Sequence, residues 1–187
     1  MSSAAGKVAE SDVTAIVAET TRWLERAVIG LNLCPFAKAV HVKSQIRYAV
    51  CLADNETALL TALRSELQTL AAIDPKITDT TLLIHPNVFT DFLDFNDFLD
   101  AADATIDELN LQGEIQIASL HPQYQFAGTA PDDISNYTNR SPYPILHLLR
   151  EASVARAVVA FPEAEDIFEK NIETMDKLGH AGWKGLW

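Results

Sequence analysis

Apolar side chains fall into two rhythms along this chain. From Ser11 onward, Val13, Ile16, Val17, Leu24, Ala27, Val28 and Leu31 recur at helical spacing. That predicts a helix with one buried face, ending near Gly30 and Asn32. The stretch IRYAVCL, 46–52, alternates Ile46, Tyr48, Val50 and Leu52 against Arg47, Ala49 and Cys51, the rhythm of a strand with one greasier face. Asp54 is placed to cap a helix reaching about Ala72, with Leu59, Leu60, Leu63, Leu67 and Leu70 turned inward, until Asp74-Pro75 stops it. TTLLI, 80–84, is short and nearly continuous in apolar residues, as a central strand is.

The same alternation of periods continues. Thr90 is placed to cap a helix burying Phe92, Phe95, Leu99, Ala102, Ile106 and Leu109, and EIQIASL, 114–120, returns to strand rhythm. Beyond a long loop, 144 to about 151 is expected to be helical, Ser153 to cap a further helix ending before Pro162, and 164–178 to form a last helix closed by Gly179. Strands separated by helices of this length predict an α/β domain, a small parallel or mixed sheet of three to four strands flanked by helices. An α+β ferredoxin-like sandwich is the alternative, because the outer strands look one-sided. Residues 1–10 are small and polar and are expected to be mobile, leaving 11–187 as one domain.

Composition narrows the classes. Apolar residues at 48% over 187 positions are enough for a real core without staples, and the formal charge of −12 is spread along the chain. Dispersed acids oppose binding to nucleic acid or anionic lipid, both of which need clustered cations. No signal-peptide core and no membrane-spanning run occur, and two cysteines give no disulfide framework, so a cytoplasmic location is expected. No phosphate-binding glycine loop, HExxH motif or GxSxG elbow is present. Asp91, Asp94, Asp97, Asp100 and Asp103 read as a solvated helix face, since EF-hand spacing is missing.

Candidate chemistry starts from two strands that end alike, TLLI-His85-Pro86 and ASL-His121-Pro122. If both strands run in parallel, both imidazoles emerge at the carboxyl edge of the sheet, where ligands of open α/β sheets lie. Imidazole there suits metal ligation or proton transfer; the competing reading is that each ring satisfies a loop carbonyl. Cys34 precedes Pro35, and a helical turn starting there would lower the thiol pKa and favour thiolate. A packed, inert thiol is the alternative for Cys34, and Cys51, inside a strand, is expected to be core.

The loop SLHPQYQFAGTAPDDISNYTNRSPYP, 119–144, holds three of the four tyrosines and four of the eight prolines. Loops of this length in compact domains are usually functional or disordered, and so many rings favour an ordered lid or pocket wall. Arg140 is the candidate anion clamp, with an ion pair to Asp132 or Asp133 as the competing use. Tyr124, Asn136 and Tyr143 are the other candidate binding residues, and His147 is placed to point back toward the site. Trp183 and Trp187 are expected to dock on the body or on a partner subunit.

Three segments carry a family resemblance: WLERAVIGLNLCPFA at 23–37, SLHPQYQF at 119–126 and NYTNRSPYPILHLLRE at 136–151. In that order, over nearly the whole chain, they make it similar to the bacterial family known as domain of unknown function 1415. The resemblance implies a small bacterial protein that is one complete domain, and it supplies no activity. The residues themselves therefore set the functional expectation: a Cys/His-lined site for a small molecule or a metal. In its enzymatic form Cys34, His85 and His121 act as catalytic residues or as ligands of one transition metal, on a small anionic substrate oriented by Arg140 and Tyr124. The alternatives are a non-catalytic haem or small-molecule binding protein, and an assembly or regulatory subunit with a protein partner or a second copy.

Overall fold

The structure is a computed structural model that describes residues 12–161, 163 and 166–187. The expected mobile segment 1–10 lies outside the described residues. Helix α1, Val13–Trp23, buries Ile16, Thr20 and Trp23 and then widens into a π-helical turn, Leu24–Ile29. Asn32, with φ 55°, ends it in the left-handed region that asparagine tolerates. A short helix α2, Ala37–Val42, leads into strand β1, Ile46–Val50. Helix α3, Glu56–Ala72, is capped by Asn55, whose side chain accepts from the Ala58 N–H, rather than by Asp54. Its Leu59, Leu63, Leu67 and Leu70 are fully buried, each stabilising the fold by roughly 1.5–3 kcal/mol.

Strand β2, Thr80–Ile84, is buried along its whole length, as its continuous apolar run predicts. Helix α4, Phe92–Glu108, is capped by Asp91, not Thr90, and leads to strand β3, Ile115–Leu120. The segment expected to be helical after the long loop is instead strand β4, Ile145–Arg150. Apolar runs this short fit either a buried helix turn or a buried strand. Here the ladder decides, because β4 inserts between β2 and β3 and is hydrogen-bonded on both sides. Helix α5, Glu151–Ala160, follows without a break and has no side-chain cap, so Ser153 does not serve as one. Helix α6 spans Ile167–Lys184 with one non-helical residue, Gly179, at φ 63°. The expected left-handed glycine is there, but a further helical turn carrying Trp183 follows it.

The sheet is four-stranded and mixed, in the order β1-β2-β4-β3. β1 and β2 are parallel, and β4 is antiparallel to both β2 and β3, so β1, β2 and β3 all point one way. Helices cover both faces. Leu83, Leu146, Leu148 and Ile115 pack with α3 and α4 on one face, while Leu82, Ile84 and Ile145 pack with α1, the π-helical turn and α6 on the other. This is the expected α/β architecture, not the sandwich. No helix among the described residues is long and apolar enough to cross a membrane.

Candidate functional site

The common direction of β2 and β3 does bring the two strand-end histidines to one edge. There the His85 N–H donates to Pro144 O and the His121 N–H to Asn139 O, so β4 and the loop before it close the gap between them. Both side chains are buried and flank the Phe95 ring, each with its centroid 5.3 Å from it. A carbonyl only accepts, so partners settle the tautomers. His85 donates from Nδ1 to Val88 O at 3.0 Å, and His121 donates from Nε2 to Phe89 O at 3.1 Å. His121 Nδ1 accepts from the Gln123 N–H at 3.0 Å. Consecutive carbonyls of one loop are thus held by the two rings, and Phe89 between them has φ 54°, a conformation costly for a bulky residue.

Both nitrogens of His121 are spent on main chain, and only His85 Nε2 is a free lone pair, buried without a partner. Burial pushes His85 down to about 4 and lowers His121 as well, so both rings are neutral at pH 7. Cys34 does not join them. It packs with the α1 and α6 cluster on the opposite face of the sheet from Phe95. The expected metal centre of Cys34, His85 and His121 is therefore not assembled: strand parity turns the imidazoles to one face while the turn after the π-helix sits on the other. Among the described residues no group of three or more histidine, cysteine, aspartate or glutamate side chains is placed to hold a metal ion. Nor is Cys34 biased toward thiolate, because burial raises its pKa more than the Phe36 and Ala37 N–H groups lower it.

The long loop is ordered around a 3-10 helix, Ile134–Asn139. Arg140 stacks over the Tyr137 ring at 4.2 Å and donates to Tyr124 O and Pro131 O, so it braces the loop through carbonyls rather than through Asp132 or Asp133. Asn136 is fully buried, accepts from the Phe126 N–H and the Thr129 hydroxyl, and donates to Ala130 O. Tyr124 packs against Phe92 and Phe126, and the Tyr143 hydroxyl donates to Glu19. Trp183 docks on Tyr137, and Trp187 packs against Trp183. All four expected binding residues are thus engaged within the fold.

An open-mouthed cavity of about 760 Å³ lies elsewhere, on the sheet face shared with Cys34. Leu82, His147 and Ala118 form one row across its floor, because His147 pairs with both neighbours in the register. Trp23, Leu33, Cys34 and Phe36 wall one end; Val154, Ala157 and Phe161, at helical spacing, bring α5 over the top. A T-shaped contact between Phe36 and Phe161, at 5.4 Å, closes α5 onto the turn after Cys34. From α6, Asn171 donates to Leu33 O and fixes that turn.

His147 is the polar group of the floor. The Thr80 hydroxyl donates to Leu148 O at 2.7 Å, so at 2.8 Å it accepts from His147 Nε2–H. That leaves Nδ1 as an acceptor facing the cavity with no protein partner among the described residues. The ring is partly accessible from the cavity, yet lies deep enough that burial pushes it down to about 4. Sequence reading places His147 near the site but on a helix. The signal that locates it is the lone imidazole in an otherwise apolar ILHLL run, which in a strand puts it on the same face as Ile145 and Leu149.

Fold and cavity together define an α/β protein with a mixed four-stranded sheet and a mostly apolar pocket between that sheet and its helices. The chain belongs to the family described as protein of unknown function (DUF1415), whose model matches residues 15–185. No curated protein and no solved structure matches it.

Proposed function

We propose that this is a bacterial cytoplasmic protein that binds a small molecule in the cavity over His147. The observation that carries the reading is that α5 has no buried residue although its Val154 and Ala157, and Phe161 just past its end, line the cavity. A helix normally sits on core through such a stripe; here the space beneath is open, at about 760 Å³, within the roughly 300–1,000 Å³ usual for ligand sites. A ligand of matching size completes the packing and gives His147 Nδ1 a hydrogen-bond donor.

The chemistry of the lining favours recognition over covalent catalysis. A protonated thiol at Cys34 is a poor nucleophile, and His147 has a hydroxyl partner rather than a carboxylate that would raise its basicity. Two free cysteines accord with a reducing compartment.

Titration with N-phenyl-1-naphthylamine, a neutral dye that brightens in apolar surroundings, tests the site. Saturable binding at one site is expected, lost in Ala157→Trp, which fills the cavity from above. It should survive in Val159→Trp, on the outward face of the same helix, where Val159 is 83% exposed. Absence of saturable binding, or equal binding by both variants, would count against the cavity.

A further inference from the structure

We infer that the ligand of this cavity is an amphipathic anion, with an apolar body over His147 and a carboxylate or phosphate head at the end where β1 and β2 begin. The inference rests on the cavity being the binding site and adds the charge of what enters it. Among the described residues four cations line the cavity, Lys43, Lys76, Arg150 and Arg156, against one acid, Asp79. Random sampling of a chain this acidic would give about two acids for each cation, so the sign of the lining is reversed.

The cations are gathered at one end. Gln45 precedes β1 and donates to Pro75 O and Lys76 O, which places the Lys76 turn beside the Lys43 end of α2. Asp79 precedes β2 and accepts from Ser153, whose hydroxyl oxygen in turn accepts from Arg156 at 2.8 Å. Because β4 runs antiparallel, it ends at that same edge, and the first turns of α5 deliver Ser153 and Arg156 there. Arg150 is committed, since its guanidinium donates to Leu70 O, Ile73 O and Thr78 O. Lys43, Lys76 and Arg156 are different: among the described residues no carboxylate pairs with them.

Four cations outside the cavity lining do pair, whereas Arg22, Lys38 and Lys184, also outside it, have no carboxylate partner among the described residues. Arg47 binds Glu66, Arg64 binds Glu108, Lys170 binds Glu163 and Lys177 binds Glu173. Three unpaired cations at the mouth of an apolar cavity attract a negative head, and Arg156 can present two parallel donors to it. From that mouth the floor runs through Thr80 and His147 to Leu82, Ala118 and Leu120, and the walls end at Trp23 and Leu33. Charge at one end and grease at the other fit a carboxylate or phosphate on an apolar tail. Lipid-derived acids and aromatic acids share this chemistry.

Displacement of bound N-phenyl-1-naphthylamine by octanoate, octyl phosphate, 1-octanol and octylamine tests the inference, with direct calorimetric titration of octanoate alongside. The two anions are expected to displace the dye at tenfold or more lower concentration than octylamine, and less effectively as salt rises. In the triple variant Lys43→Gln, Lys76→Gln, Arg156→Gln, half-displacement by the anions should move up about tenfold while that by octanol stays in place. A tenfold preference between octanoate and octyl phosphate would name the head group. Equal displacement by all four, or an unchanged anion preference in the triple variant, would overturn the charge assignment and leave the cavity as a neutral site. Failure of both dye and octanoate to bind would overturn the cavity reading with it.

Discussion

His147 gives its Nε2 proton to the Thr80 hydroxyl 2.8 Å away, and Thr80 has already given its own to the Leu148 carbonyl. One direction of donation is therefore built into the sheet, from imidazole to hydroxyl to main chain. It makes the other side of the ring a fixed acceptor, and it makes a second proton on the ring expensive, because no anion stands beside it to receive the charge.

Acid should therefore destabilise the protein in a defined window. Burial pushes His147 and His85 from 6.5 down to about 4 in the folded protein. In the unfolded chain each ring takes a proton near 6.5, so between the two values the unfolded state holds more protons. Stability is then full above the upper value, falls as pH drops through the interval, and has lost this contribution below the lower one. At about 1.4 kcal/mol per pH unit, each ring accounts for up to roughly 3 kcal/mol. Urea unfolding at a series of pH values measures the fall. His147→Leu should flatten it over this window, and superimposable profiles would rule out His147 as a contributor.

The two strand-end histidines differ in what they leave behind. His121→Ala leaves the partly buried Phe89 O and Gln123 N–H without their partner and opens a gap beside the buried Phe95, which should cost about 2–3 kcal/mol. His85→Leu strands only Val88 O and also removes an orphaned Nε2, so about 1 kcal/mol is expected. Denaturant unfolding of both variants decides between this order and its reverse.

Local pattern carried most of the helices, β1, β2 and β3 into the sequence reading, because period and caps are properties of neighbouring residues. The shared edge of His85 and His121 was legible for the same reason, since parallel strands separated by helices end together. Cys34 was not placeable, because which face of the sheet a preceding helix covers depends on packing far along the chain. β4 was missed because both its partners are remote, and with it the face of His147. The cavity left no local trace at all: it is defined by what α5 fails to touch.

Cys34 offers a direct probe of the cavity wall. Its thiol is held protonated by burial, so modification by a disulfide reagent near neutral pH should be several-fold slower than that of free cysteine, and should accelerate as pH rises above the ordinary thiol range. Because Cys34 lines the cavity, saturating octanoate should slow it further. Cys34→Ser retaining dye binding would show that the thiol is wall and not anchor. Modification at the free-cysteine rate would contradict the buried, neutral thiol.

Gly30 closes the π-helical turn, and its backbone is ordinary there, with φ −62°. The reason for glycine is a neighbour: a Cβ at this position would stand 2.3 Å from the Arg26 carbonyl oxygen. The wide turn brings that carbonyl inward while Gly30 N–H donates to Glu25 O and Leu33 N–H to Val28 O, both five residues back. Gly30→Ala must push Arg26 away or tighten the turn. Either shift disturbs the Arg26 guanidinium, which donates to Leu186 O and Trp187 O and ties down the end of the chain. A loss of about 1–3 kcal/mol is expected, roughly 2–12 °C in melting temperature for a chain of this size. Hydrogen exchange should rise at 183–187 together with 24–34, since Arg26 couples the two. A stability loss with unchanged protection at the C-terminal residues would separate the turn from the tail and refute that coupling.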